Sequence, residues 1–324
     1  MRIFVTGGSG FLGQRLIRRL TEEGHQVTAL SRTTDSDTRL ASLGATPVRG
    51  SLSDIPRWEK ALDRQDILVH AAAPIDVWGR WRTFRHDILE ASLQLYQFAC
   101  DRRVKRFIYL SSESVLQDSR PLLDIDESTP YPLEPNSLYG KAKKLAEQSL
   151  LSHAGPTTLI ILRPTFIWGA GESQLDTLLE KVRKGQFVWV DHGHAPMEHV
   201  HVDNVVEAIR LAMNRGLHKG IYFVTDDQPS TAREFLGALM EAHGLTPPEA
   251  SLPAALVKPL APLVESLWRL LALQSTPPLS RFQLDFIALP RRYRLDRIRR
   301  DLGYQPVRRL DEGLAEIRAS RPLA

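Results

Sequence analysis

Apolar residues along the chain fall into short, nearly continuous runs separated by stretches with helical spacing. Residues 1–6, Met1-Arg2-Ile3-Phe4-Val5-Thr6, predict a buried strand with β-branched and aromatic side chains at its centre. From Gln14 to Glu23 the spacing is helical, with Leu16, Ile17 and Leu20 on one face and Gly24 as the stop. A second strand follows over residues 25–30, and residues 46–54 hold a third strand and the turn after it. A short helix over 58–62 leads to a fourth strand, 66–73, that ends in the small residues Ala71, Ala72 and Ala73. A helix over 84–100 precedes a fifth strand, 106–112, and a helix over 137–150 precedes a sixth, 157–163. Such apolar strands alternating with helices predict an α/β fold with a parallel sheet covered on both faces.

The rhythm changes after Pro164. A helix is expected over 175–183, a short strand over 186–191, a helix over 205–213 and a further strand over 220–224; beyond Thr231 the pattern is largely helical and broken by prolines. The most apolar stretch, 251–273, is broken by Pro253, Pro259 and Pro262 and interrupted by Lys258, Glu265 and Arg269. It does not qualify as a bilayer span, which needs about 20 largely uncharged residues. An amphipathic lid over an apolar substrate, a shallow peripheral membrane contact and a helix packed on its own domain stay open for it.

The turn that ends the first strand carries the first chemistry. Gly7-Gly8-Ser9-Gly10-Phe11-Leu12-Gly13 stands between strand and helix, and the whole β-α-β unit has the length of about 30 residues expected of a dinucleotide fold. Gly7 permits the tight turn, Gly10 leaves the backbone bare for a pyrophosphate, and Gly13 lets the helix approach the sheet. The helix N-terminus adds unpaired N–H groups and a partial positive charge.

Composition excludes several alternatives. Of 324 residues, 43% are hydrophobic and 25% charged, as in an ordinary soluble domain, and one cysteine, Cys100, leaves neither a disulfide framework nor a thiolate zinc site. Cys100 sits on a helical pattern with Leu93, Tyr96 and Ala99, as a buried structural thiol would. The chain enters its first strand without a secretory leader, so the cytoplasm is the default compartment. The net charge of +4 comes largely from a late arginine run that is interleaved with Asp296 and Asp301 and has no aromatic platform, which argues against nucleic acid. His192, His194, His199 and His201 lack the spacing of a metal site, and none is expected.

Tyr139 and Lys143 are four residues apart on the helix before the sixth strand and share a face. An ammonium beside a phenol favours the phenolate, so the pair can exchange a proton near neutral pH. Ser112 ends the fifth strand, at the carboxyl edge where open parallel sheets bind ligands, and can donate a hydrogen bond to a carbonyl oxygen. Arg163 is expected to hold the sheet edge or a nearby carboxylate. Trp78, Trp81 and Trp168 lie in loops near the expected cleft and are candidates to line it.

Thr6 to Gly13, Asp54, His70 to Ala73, Ser111-Ser112, Tyr139-x-x-x-Lys143 and Leu162-Arg163-Pro164 stand in the order and at the approximate spacing of the extended short-chain dehydrogenase/reductases, which the chain resembles over residues 1–224. The resemblance implies Ser112, Tyr139 and Lys143 as catalytic triad. It implies a dinucleotide held by Gly7, Gly10, Phe11, Leu12, Gly13, Ser31, Arg32, Asp54, Ala71, Ala72, Ala73, Tyr139, Lys143, Pro164, Thr165 and Ile167. Within the group, the Asp-Glu pair of sugar dehydratases is missing at Glu113-Ser114, and the acidic residue of sugar epimerases is replaced by Ser31-Arg32. His201-Val202-Asp203-Asn204-Val205 and Leu302-Gly303-Tyr304-Gln305-Pro306 resemble the 3β-hydroxysteroid dehydrogenase-like branch instead.

The expected architecture is a Rossmann-type doubly wound sheet from residues 1–168 and 198–230, with a smaller, mostly helical substrate domain from 169–197 and 231–324. The expected function is interconversion of a ketone and a secondary alcohol on an apolar, sterol-like or long-chain keto substrate, by a homodimer. A nucleotide-sugar epimerase with tightly bound NAD and a non-catalytic cofactor sensor are the alternatives. With Arg32 in place of the carboxylate that reads the ribose in NAD-selective members, NADP(H) is the expected cofactor and NAD(H) the alternative.

Overall fold

The computed structural model describes residues 1–74, 78–271, 273 and 275–321. Seven strands form one parallel sheet: β1 (Arg2–Thr6), β2 (Gln26–Ser31), β3 (Thr46–Arg49), β4 (Ile67–His70), β5 (Arg106–Leu110), β6 (Thr158–Pro164) and β7 (Gly220–Val224). Their spatial order is β7-β6-β5-β4-β1-β2-β3, every neighbouring pair parallel. The order reverses beside β1, so the glycine turn opens at the switch point where doubly wound sheets bind ligands. Alternation along each strand feeds two cores: Ile3 and Val5 enter the cluster on one face, Phe4 the cluster on the other.

On the first face lie α1 (Phe11–Glu22), which buries Leu16, Ile17 and Leu20, and α2 (Thr34–Ser42), which buries Leu40. The opposite face is covered by α3 (Trp81–Phe84), a π-helical turn over Arg85–Glu90, α4 (Ala91–Asp101) and α5 (Leu138–Ser152). One expectation changes here. The helix α2 has no counterpart in the sequence reading, because its nine residues bury one leucine and are otherwise polar; Thr33 caps it by accepting from the Ser36 N–H at 3.2 Å. The third strand and its turn stand within 46–54 as expected, the strand ending at Arg49 and Gly50 lying against the Trp58 ring, where a Cβ would come within 2.3 Å. Cys100 is buried as expected.

After β6 come α6 (Gln174–Arg183), α7 (Val202–Ala212), α8 (Ala232–Ala242), α9 (Ala254–Val257), α10 (Leu260–Leu270), α11 (Arg281–Ala288), α12 (Asp296–Leu302) and α13 (Leu310–Ala319), of which α7 and α12 pack on the first face of the sheet. Trp168, Leu179, Trp189, Phe235, Leu239 and Ile317 form a separate core. The late segment does not keep wholly to that core. Tyr293, Leu295, Ile298, Leu302 and Tyr304 pack into the sheet's own core, with the Tyr293 ring stacked 4.5 Å from Phe223.

A buried carboxylate fastens the two parts. Asp226 accepts from the Trp168 indole at 2.8 Å, the His201 N–H at 2.7 Å and the Asn204 amide at 2.6 Å, and meets His199 Nδ1 at 2.8 Å. Asn204 also donates to the Arg308 carbonyl at 2.8 Å and accepts from the N–H groups of Val307 and Arg308 at 2.7 and 2.8 Å.

Candidate active site

The glycine turn is built for close approach. Gly7 has φ +76°, and a Cβ there would lie 2.7 Å from the Ala72 nitrogen; one on Gly13 would lie 2.1 Å from the Gly7 carbonyl oxygen. Gly10 is the N-cap of α1 and offers no side-chain cap, so the first N–H groups of the helix face the cleft mouth. This cradle fits the pyrophosphate of a dinucleotide. Beneath it Thr6 Oγ1 meets His70 Nδ1 at 2.7 Å, and His70 Nε2 meets Ser92 Oγ at 3.0 Å. Burial, with Lys143 nearby, pushes His70 down to about 3, so the imidazole is a neutral strut between β1 and β4.

The three candidate catalytic groups converge from two elements. Ser112 follows β5 and caps a 3-10 turn by accepting from the Ser114 N–H at 3.2 Å, which leaves its hydroxyl proton free to be donated. Tyr139 and Lys143 come from α5, capped by Ser137, whose hydroxyl accepts from the Gly140 N–H at 3.0 Å. Gly140 sets the spacing: a Cβ there would lie 2.5 Å from the Ser114 carbonyl oxygen, so the missing side chain lets α5 approach the serine turn. Lys143 is 2% exposed and donates to the Leu110 carbonyl at 2.6 Å. At the far end of the helix Glu147 and Arg163 pair at 2.6 Å with both side chains closed to water, and Tyr131 donates to Glu147 at 2.6 Å. This fixes α5 against β6, and it is the carboxylate contact expected of Arg163.

Burial dominates the electrostatics. It pushes the Tyr139 phenol up to about 12, with the Ser112 hydroxyl pulling the other way, and pushes Lys143 down to about 7 against the attraction of Glu147. The expectation that Lys143 depresses the phenol is thus not realised in the protein by itself. An ammonium that is costly to bury and anchored on a carbonyl exerts little pull.

One cleft of about 1010 Å³ joins the glycine turn to these groups. Gly7, Gly10, Phe11, Leu12, Gly13, Arg32, Ala71, Ala72, Ala73, Ser112, Tyr139, Lys143, Pro164, Thr165 and Ile167 all line it. Two of the residues named from sequence do not. Ser31 is buried and donates to the Thr33 carbonyl at 3.1 Å, and Asp54 faces solvent, 3.9 Å from Arg57, while Ser53 takes the lining position. The tryptophans do not line it either. Trp168 is buried against His201, Trp81 lies 5.4 Å from the Lys141 ammonium, and Trp78 donates to the Leu273 carbonyl at 3.3 Å. His201 nears Asp203 and Glu316, but Arg308 already holds Asp203 at 3.0 Å and Arg15 is paired with Glu316.

The other half of the cleft was missed. Phe166, Leu178, Phe282, Phe286 and Ile287 make an apolar wall, with Gln117 and Gln283 among them. Phe166, between Thr165 and Ile167, could have been found by continuing the strand-end motif. The residues of α11 carry no local signal, because they reach the cleft only through folding. Of the segment 251–273, in which Ala272 lies outside the described residues, Val257 lines the cleft, whereas Leu256 and Leu267 are 65% and 48% exposed.

Residues 3–224 match the NAD dependent epimerase/dehydratase family. The chain is 36% identical to a 4-hydroxy-2-methyl-3-oxo-4-farnesyl-3,4-dihydroquinoline-1-oxide ketoreductase of Stigmatella aurantiaca, over 99% of this chain and 97% of that one. It is 30% identical to a decarboxylating sterol-4-alpha-carboxylate 3-dehydrogenase of Dictyostelium discoideum, over 97% of this chain and 99% of the relative. The UDP-glucose 4-epimerase of Thermotoga maritima superposes with a TM-score of 0.77 at 21% identity, covering 98% of each chain, a likeness of fold. With Ser112, Tyr139, Lys143 and the glycine cradle gathered on one cleft of a Rossmann sheet, the chain belongs to the NAD-dependent epimerase/dehydratase family, as an NAD(P)-dependent oxidoreductase of the extended short-chain dehydrogenase/reductase type.

Proposed function

We propose that the protein interconverts a ketone and a secondary alcohol on an apolar substrate, with NADP(H) as the preferred cofactor. The carrying observation is that Ser112 and Tyr139 share their cleft with the aromatic and aliphatic wall of Phe166, Leu178, Phe282, Phe286 and Ile287. A prenylated, sterol-like or long-chain ketone fits such a wall, with Gln117 and Gln283 to meet its polar atoms. The relatives named for a farnesylated quinoline and for a sterol support the same reading.

When bound, the nicotinamide supplies or accepts the hydride at the carbinol carbon. The protein's residues handle the oxygen. Ser112 donates to the carbonyl oxygen and orients it, and Tyr139 passes its phenolic proton to that oxygen as negative charge develops. A phenol held near 12 keeps its proton at neutral pH, and its phenolate is a weaker base than the forming alkoxide, so the transfer runs downhill in the direction of ketone reduction. Lys143 can stabilise the phenolate that results, and its remaining N–H groups are free for the cofactor ribose.

NADP(H) is favoured by the surroundings of β2. Arg32 lines the cleft, Asp35 is exposed and does not, and Asp37 is paired with Arg49. A 2′-phosphate would meet a guanidinium there and no free carboxylate.

The test is cofactor oxidation with NADPH and NADH against 3-ketosteroids, long-chain 3-oxo compounds and prenylated ketones, with UDP-glucose as the competing substrate. Apolar ketones should be reduced. Conversion of UDP-glucose without reduction of any ketone would replace this reading by the epimerase.

A further inference from the structure

Leu252, Leu256, Leu260, Leu263, Leu267, Leu270 and Leu271 are 44–82% exposed. Within α10 the exposed leucines recur every three or four residues and so form one outward stripe, while Ala261 and Glu265 on the other side are 0% and 6% exposed. Glu265 is the one acid between Ser251 and Leu273, and it turns inward to accept from the Arg281 N–H at 2.7 Å and its Nε at 3.0 Å. Lys258, before α10, and Arg269, which follows Glu265 by one turn at the flank of the stripe, are both exposed. Trp78 stands at the edge with the Arg269 guanidinium 5.5 Å from its ring, and the exposed Arg80 follows it in the chain. Monomeric soluble proteins scatter their exposed leucines, as this one does at Leu133 and Leu217; a continuous apolar stripe marks a surface that is covered.

We propose that this face docks on a lipid bilayer carrying anionic headgroups. Leucines on one side, flanked among the described residues by two cations and a tryptophan, are the composition of an interfacial helix, the cations pairing with lipid phosphates. A second copy of the chain fits the face less well. A two-fold interface would turn Lys258 and Arg269 toward a surface that shows no acid among its described residues. The position adds a reason for docking. Val257 of α9, Leu279 just before α11 and Phe282 of α11 line the cleft, and α11 is tied to α10 through Arg281 and Glu265, so the leucine face adjoins an apolar part of the cleft wall. A substrate dissolved in the bilayer would enter there without crossing water. This purpose rests on the apolar-substrate reading, whereas the docking itself rests on the exposed face.

The experiment is co-sedimentation of the full chain with vesicles of phosphatidylcholine alone and of phosphatidylcholine mixed with phosphatidylglycerol, without substrate. Binding should require phosphatidylglycerol. The double variant Leu263→Glu/Leu267→Glu should weaken binding at least about tenfold, and Lys258→Glu/Arg269→Glu should abolish the preference for anionic lipid. Leu217→Glu, at an exposed leucine elsewhere, should change nothing. Turnover of a short, water-miscible ketone should be the same in all variants. Vesicle binding with these sensitivities upholds the docking even if no ketone is turned over, which would instead remove the proposed function. Absence of binding, or binding indifferent to the leucine pair, overturns the docking. So does a dimer that the leucine pair dissolves in the absence of any vesicle binding, which would assign the face to a second copy.

Discussion

Lys143 lies over the ring of Tyr139, 5.9 Å from its centroid, while its ammonium is anchored on the Leu110 carbonyl at 2.6 Å. Lys143 is buried and Tyr139 partly buried, and loss of water contact drives them in opposite directions, the phenol up to about 12 and the lysine down to about 7. Tyr139→Phe keeps the ring and removes the proton. Turnover should fall by about 10²–10⁴, the range of general acid–base loss, with cofactor affinity nearly unchanged. Near wild-type turnover would remove Tyr139 from the mechanism.

The lowered lysine makes stability depend on pH. Below about 7 Lys143 is charged in both the folded and the unfolded chain, and above its ordinary 10.5 it is neutral in both. Between those values the unfolded chain alone binds the proton, so stability rises with pH across the window. Measured by urea unfolding of cofactor-free protein at successive pH values, wild type should gain on Lys143→Met by about 1 kcal/mol per pH unit between them. A difference that stays flat or falls would mean the lysine is not buried as described.

Gly140→Ala tests the approach of α5 to the serine turn. A Cβ 2.5 Å from the Ser114 carbonyl oxygen must push helix and turn apart, and Tyr139 moves with the helix. A misplacement of about 1 Å costs on the order of 10²-fold in rate. The variant should therefore lose turnover while it still binds cofactor, as followed by nicotinamide fluorescence.

Arg32→Ala should lower kcat/KM for NADPH by roughly 10–100-fold, the worth of a charge-assisted pair, and leave NADH little changed. Equal effects on the two cofactors would mean that Arg32 reads nothing at the 2′ position.

Asn204 fills all its hydrogen-bonding positions, on Asp226 and on the backbone of Val307 and Arg308. Asn204→Ala leaves those buried groups unpaired and should cost about 2–4 kcal/mol of stability. Limited proteolysis should then cut first near residues 305–309.

Much of the cofactor half was legible because its residues are locally obligatory. Gly7 and Gly13 answer to steric limits within their own turn, and Tyr139 and Lys143 to the pitch of one helix. The wall of α11 was not legible, because Phe282 and Phe286 gain their place only from contacts with residues far away in the chain. Asp226 carried no pattern, since its role depends on four partners that fold around it. The helix α2 was hidden by its polarity, although Thr33 with Ser36 is a readable cap.

The stacking of Tyr293 on Phe223 has a bearing on how the protein is made. Tyr293 and Tyr304 complete the core that holds Tyr222 and Phe223, yet both leave the ribosome well after β7. At about 5–20 residues per second, the apolar side of that strand waits roughly 3–14 s between the synthesis of Val224 and of Tyr293. The apolar side of β7 stays uncovered during that interval, and fragments that end before Tyr293 should aggregate more readily than the full chain.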